Sequence, residues 1–310
     1  MELAKYVSSE IVNGDSGQFY TPLSIGTAKP DWKQEVVPHH LFDIIDEPKH
    51  FSVVAYRELL LEKINNIWSR GKLPVVVGGS GFYLKSIFFP PVSGSAVQNK
   101  EIPDFSGQDS VALWNQLHAI DVTRAEQIDK NDLYRIIRAL SIWYQTGVKP
   151  SKFFPRYNPT CNFLMIYLSR DKDELNERIN KRTYQMIEEG WLDEVERLQG
   201  TEWEPFLCRK GLIGYDILFE YLKTEKTEKD LEGAIQKVQQ ETRHYAKRQK
   251  TFWKSLDRQI NGALKADKTG LFFGETELIN LTLLDCDLYI KQLLKRLSPY
   301  LKKSIFYENF

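Results

Sequence analysis

Asp15 stands in the turn Asn13-Gly14-Asp15-Ser16-Gly17-Gln18, directly behind the short run of residues 10–13 that reads as a strand. In open α/β sheets the ligand crevice lies just beyond the carboxyl ends of the strands, which is where such a turn comes to rest. A lone aspartate there can be a general base, a metal ligand or a turn former, and taken by itself the turn former is the commonest use. Gly78-Gly79-Ser80-Gly81 follows the run 73–77 in the same way. Its glycines allow backbone N–H groups to approach a ligand, or simply make a tight strand-to-helix turn, and it brings the Ser80 hydroxyl to the same sheet edge. His39 and His40 are adjacent, so their side chains diverge, and no third ligand is spaced to join them. A hydrogen-bonding role suits them better than a metal.

Positive charge is patterned as well. Arg243, Lys247, Lys250 and Lys254 recur at helical spacing and share one face, with Arg248 flanking them and Gln249 and Trp253 between. Most charged helix faces are merely solvated, but a cationic stripe with no interleaved acid suits a phosphate backbone. Arg178 and Arg182 share another helical face, as do Arg135 and Arg138. Surface ion pairing is the default use of both pairs.

The elements that must carry these residues alternate. Runs 10–13, 73–77 and 162–168 read as strands, the last two continuously apolar, as parallel strands covered on both faces tend to be. Ser52 can cap, and Gly71 end, a helix with apolar residues at 53, 56, 60, 64 and 67, and Asp171 with Glu174 forms a capping-box pattern before another. Such alternation predicts a parallel α/β sheet. Between 92 and 107 the chain turns polar and rich in Gly, Pro and Ser, a helical stretch follows, and Pro150, Pro155 and Pro159 break it. The expected organisation is therefore an α/β core from 1–91 and 160–256, a helical insertion at 92–159 and a C-terminal helical extension at 257–310.

Composition narrows the class. In 310 residues, 42 Lys and Arg balance 42 Asp and Glu, so any nucleic acid must be held by local clusters rather than by net charge. Three scattered cysteines form neither a disulfide framework nor a zinc spacing, which predicts a reducing, cytoplasmic setting. Nothing reads as a signal peptide or a membrane-spanning run.

In combination these pieces resemble a known family. Asp15-Ser16-x-Gln18, the Ile25-Gly26-Thr27-Ala28-Lys29-Pro30 segment, Pro38-His39-His40-Leu41, Gly78-Gly79-Ser80-Gly81-x-Tyr83, Asn131-Asp132 through Arg138, Ile213-Gly214-Tyr215 and Lys247-Arg248-Gln249 to Trp253 occur in the order found in tRNA dimethylallyltransferases. The resemblance implies a core related to P-loop kinases, with a helical insertion that grips the anticodon stem-loop. It implies transfer of a dimethylallyl group from its diphosphate to N6 of the adenine 3′ of the anticodon, assisted by Mg2+, in a monomeric enzyme. By this resemblance Asp15 is the general base and Ser80 stands where threonine is usual. Ser16, Gly17 and Gln18 hold the flipped base. Tyr134, Arg135 and Arg138, the segment 211–216, and Lys247, Arg248, Gln249, Lys250 and Lys254 meet tRNA. Arg178 and Arg182 are expected to face the diphosphate.

One family feature is missing: nowhere does the sequence read Gly-x-x-x-x-Gly-Lys-Ser/Thr, the loop that holds diphosphate and magnesium. Residues 2–7 read as the last turns of a helix running straight into a strand, which in a parallel sheet returns from an earlier strand. The expectation is an upstream reading frame that encodes that strand and loop. The alternative activity is a tRNA-binding remnant without catalysis. A nucleoside kinase relative comes third, since it too needs the loop.

Overall fold

A computed structural model describes residues 1–91, 102–153, 155–267, 270, 273–282 and 284–300; of the polar run expected at 92–107, residues 92–101 lie outside them. The described residues form two units, one made of the chain up to 88 and from 159 onward, the other of 89–158.

In the first unit a 3-10 turn at Glu2–Lys5 leads into β1 (Ser9–Asn13), which is followed by β2 (His39–His40), α1 (Val53–Ser69), β3 (Leu73–Val77) and α2 (Gly81–Phe88). The three strands form one parallel sheet in the order β2-β1-β3, with Asn13 opposite Val77. Ser52 caps α1, its hydroxyl accepting from Ala55 N at 3.1 Å, and Gly71 follows the helix in the left-handed region at φ 73°. Tyr56, Leu60 and Ile67 of α1 pack beneath the sheet with Val12, Phe19, Tyr20 and Leu23. Phe19, Tyr56 and Tyr83 meet with ring centroids 5.0–5.4 Å apart. Two of these contacts are edge-on and one is tilted, and the Tyr56 hydroxyl donates to Asn13 O at the start of the Asp15 turn, so the turn rests on rigid rather than adaptable side chains.

The second unit is helical: α3 (Ser110–Ile120), α4 (Val122–Ala125) and α5 (Leu133–Thr146). Each begins with an aspartate, Asp109, Asp121 or Asp132, whose carboxylate accepts from a backbone N–H of the first turn. Leu113, Leu117, Ile136 and Leu140 form its core.

The chain then re-enters the first unit through β4 (Phe163–Ser169), α6 (Lys172–Glu188), α7 (Trp191–Leu198), α8 (Trp203–Lys210), α9 (Tyr215–Leu222) and α10 (Glu228–Ala266). Last come β5 (Gly274–Asn280) and α11 (Cys286–Leu297).

Three expectations are corrected. The tail is not purely helical: β5 pairs in parallel with β4 along seven residues, and α10 runs through the expected boundary at 257. Strand and helix alternate there, but the strand's own sequence, Gly274-Glu275-Thr276-Glu277-Leu278-Ile279-Asn280, is too polar to announce itself. The Asp171–Glu174 capping box does not form. Asn280 Nδ2 donates to Asp171 at 2.8 Å, and Thr282 Oγ1 and Arg170 donate to Glu174 at 2.5 Å, so the tail draws both carboxylates away. Finally, β3 and β4 are not covered on both faces: both are mostly half-buried, and Val77 and Leu168, near their carboxyl ends, are 53% and 57% exposed.

One ionic cluster fixes β1. Glu10 is buried on that strand and accepts from Arg70 at 2.6 and 2.7 Å, Lys72 at 2.7 Å and His40 Nε2 at 2.7 Å. The Arg70 guanidinium foremost, then Lys72 and His40, hold its carboxyl far below the usual carboxylate range against the cost of burial. The histidine pair thus serves hydrogen bonding, His39 Nδ1 lying 2.6 Å from the Val37 carbonyl. Because Glu10 is depressed in the fold, its contribution is complete above the unfolded value near 4.5 and fades as pH falls below it. Glu10→Gln should therefore lower stability by about 2 kcal/mol at neutral pH. In urea titrations the gap from wild type should hold constant above about pH 5 and narrow below that.

Candidate active site

Two strand-to-turn crossings build the site, and they interlock. Gly14 N donates to Val77 O at 2.7 Å and Ser80 N to Gly14 O at 3.3 Å. The two chains pass so closely that a Cβ on Gly78 would lie 2.1 Å from the Gly14 carbonyl carbon. Only glycine permits that crossing. Tyr56 steadies it from below, donating to Asn13 O at 3.1 Å, and Asn13 Oδ1 in turn accepts from Asp15 N at 2.8 Å.

The crossing carries Asp15 and Ser80 to one place. Asp15 Oδ1 accepts from Gly17 N at 3.0 Å, Ser80 Oγ accepts from Ser16 N at 2.8 Å, and the two serine hydroxyls are 3.1 Å apart. Burial raises the Asp15 carboxyl above its ordinary 3.8, opposed by the N–H groups of Gly17 and Gly79 and by the charges of Arg182 and Lys210. A half-dehydrated carboxylate with cations nearby but no direct ionic partner is a proton acceptor more than a structural ion.

Other elements close around it. Lys210 ends α8 and lies over the rings of Tyr20 and Phe206, 4.9 and 5.9 Å from their centroids. Burial lowers its ammonium and the Asp15 charge raises it. From α10 come Tyr245, whose phenol burial and the Asp15 charge push upward, and Gln249, whose Nε2 donates to Gly79 O at 2.9 Å. Arg182 on α6 is exposed with its charge felt at Asp15; Arg178, one turn earlier, is exposed beside Glu174.

The segment 24–30 is fastened from far away in sequence. Buried Glu194 on α7 accepts from Ser24 N, Ile25 N and Gly26 N at 2.7, 2.8 and 3.1 Å and from the Tyr215 hydroxyl at 2.7 Å. Gln18 Nε2 donates to Thr27 O and Ala28 O at 3.0 and 3.2 Å, and Lys29 pairs with Asp43 while donating to Tyr20 O at 2.8 Å. Gln18 therefore shapes this loop with its amide nitrogen.

The cationic stripe is narrower than its spacing predicts. Arg243 donates to Asn180 Oδ1 at 2.7 Å and is half-buried, whereas Lys247, Lys250 and Lys254 are exposed. Arg248 lies over the Tyr245 ring at 5.8 Å. In the segment 211–216, Gly214 and Tyr215 are buried against Trp191, leaving Gly211 and Asp216 at the surface. In the helical unit Tyr134, Arg135 and Arg138 are exposed along α5, Arg135 pairing with Asp132 at 3.3 Å. Sequence reasoning missed Lys210, Tyr245 and Glu194. A last-turn lysine before Gly211 could have marked the first; Glu194 lies about 170 residues from the amides it binds and left no signal.

A model of the IPP transferase family matches residues 18–256. The chain is 35% identical over 258 residues to a tRNA dimethylallyltransferase of Thermotoga petrophila, covering 82% of this chain and 84% of that protein. Among solved structures, the full-length tRNA isopentenylpyrophosphate transferase of Bacillus halodurans is 30% identical with a TM-score of 0.58, covering 96% of this chain and 89% of that one. A eukaryotic dimethylallyltransferase captured acting on tRNA is 25% identical with a TM-score of 0.74, covering 96% and 75%.

Glu194→Ala removes four hydrogen bonds at once and leaves three backbone N–H groups without their acceptor. It should cost about 3 kcal/mol of stability and accelerate amide exchange at residues 24–26 at least about tenfold, measured by hydrogen-exchange mass spectrometry.

Proposed function

Because this chain belongs to the IPP transferase family, we propose that it moves a dimethylallyl group from its diphosphate to the exocyclic N6 of the adenine 3′ of a tRNA anticodon. The observation that carries the chemistry is the Asp15 carboxylate, raised by burial and held between two N–H groups at the crossing of two strand-to-turn segments.

An adenine amine is a weak nucleophile because its lone pair is delocalised into the ring. N6 attacks the allylic carbon, the carbon–oxygen bond breaks with its electron pair leaving on the diphosphate, and the N6 proton passes to Asp15. The reacting atoms must be aligned, and a base in an anticodon loop leaves its stack at low cost. Lys210 and Arg182 supply positive charge beside the acceptor where the diphosphate departs. The Ser16 and Ser80 hydroxyls, 3.1 Å apart, are polar groups at the carboxylate's turn. Arg178 is assigned to the diphosphate only through the resemblance.

Magnesium is part of this reading as an ion carried by the diphosphate. Among the described residues no three His, Cys, Asp or Glu groups come together to hold it. Mg2+ at such sites is bound through one or two protein oxygens and the substrate phosphates, and would neutralise the leaving group. The exposed Lys247, Lys250 and Lys254 of α10, with Arg248, are assigned to the phosphate backbone, and Tyr134, Arg135 and Arg138 of the helical unit to the stem-loop. Among the described residues no helix is long and apolar enough to cross a membrane, and the setting proposed is the cytoplasm. The raised Asp15 favours transfer over a binding-only remnant, since gripping RNA needs no such group.

Asp15→Asn should keep anticodon stem-loop affinity within a few-fold and cut single-turnover transfer about 10²–10⁴-fold. Asn forms the same turn, so a turn former alone leaves the rate near normal, and that result refutes the assignment. Since burial raises the Asp15 carboxyl, the wild-type rate should climb with pH along an acid limb placed above the ordinary value of 3.8. Lys247→Ala or Lys250→Ala should weaken binding of every stem-loop sequence alike and lower the salt slope by about one, read from fluorescence anisotropy across salt concentrations.

A further inference from the structure

Gln249 sits in the cationic stripe by sequence, between Arg248 and Lys250, yet its side chain turns inward. It is half-buried where Lys247 and Lys250 are exposed, and its Nε2 donates to Gly79 O at 2.9 Å. Tyr245, one helical turn earlier, reaches the same carbonyl with its hydroxyl at 3.5 Å. A Cβ on Gly79 would come 2.6 Å from Gln249 Nε2 and 3.4 Å from Asp15 Oδ2, so the amide and the carboxylate flank one residue.

The Gly79 carbonyl and the Ser80 N–H belong to a single planar peptide unit. Ser80 N donates to Gly14 O across the crossing, and Ser80 Oγ accepts from Ser16 N. A donor holding the carbonyl end of that plane therefore also aims its N–H end at the Asp15 turn. Glycine imposes little backbone preference of its own, and without that donor the plane is free to rotate. We propose that Gln249 is a positioning residue for the proton acceptor: it clamps the 79–80 peptide, sets the turn that holds Asp15, and ties the RNA-facing helix α10 to the reacting centre. This rests on the functional reading given above and assigns Gln249 a role other than direct tRNA contact.

Gln249→Met keeps the shape and charge of the side chain and removes its donor. Amide exchange at residues 79–81 should speed up at least about tenfold while residues 9–13 stay unchanged. With a stem-loop bearing adenine 3′ of the anticodon and saturating dimethylallyl diphosphate, single-turnover transfer should fall about 10–100-fold. Stem-loop affinity should move less than about threefold.

Unchanged exchange at 79–81, or a transfer rate within about threefold of wild type, overturns the clamp. So does a loss of affinity of about tenfold with the saturated rate intact, which makes Gln249 a direct RNA contact. Wild-type protein that transfers nothing overturns the functional reading and this inference with it; the other outcomes strike the inference alone.

Discussion

The close approach of Gly78 to the Gly14 carbonyl, which leaves no room for a Cβ, is the constraint from which the rest of the site follows. Two parallel strands deliver their turns to the same point, and the turns can share it only because neither residue at the crossing carries a side chain. Once they cross, Asn13, Asp15, Ser16 and Ser80 are mutually hydrogen-bonded through backbone and side chain. The aromatic floor of Phe19, Tyr56 and Tyr83 then prevents the crossing from sinking into the core. The site is thus placed by backbone geometry before any charged group acts on it.

Electrostatics is layered on that geometry in two different ways. At Glu10 three bases converge on one buried carboxylate, and the result is a structural ion that stays charged well into the acid range. At Asp15 burial is the largest influence, and the nearby cations Arg182 and Lys210 act at a distance and form no ion pair with it. The first arrangement removes a carboxylate from chemistry, whereas the second leaves one able to take up a proton. The two acids lie on the same strand and its turn, and only the company each keeps distinguishes them.

Long helix α10 combines functions that a surface helix usually separates. Its exposed lysines present charge outward, Arg243 is fastened to α6, and Tyr245 and Gln249 reach the Gly79 carbonyl. Val238, Trp253 and Leu256 anchor it in the core. One rigid element therefore spans the surface assigned to RNA and the turn assigned to catalysis, with packing along much of its length.

Much of this was legible in the residues themselves. The strands at 9–13 and 73–77, the Ser52 cap, the Asp15 and Ser80 turns and the helical character of the region after 107 all follow from periodicity and turn chemistry, which are local properties. The order of motifs added the family, and with it the assignment of Asp15. Partners distant in sequence were not legible. Glu194 finds the amides of 24–26, Glu10 finds Arg70 and Lys72, and Thr282 takes Glu174 from its expected cap, each across many residues that carry no common pattern. The stripe shows the division at its sharpest: helical spacing put Arg243 and Lys247 on one face with Gln249 beside them. Packing against α6 and the Gly79 turn decided that Arg243 and Gln249 are held inside while Lys247 meets solvent. Sequence determines which side chains a helix offers and in what order, because that depends only on its period; which of them find partners depends on what the rest of the chain brings alongside, and that exists only once the chain has folded.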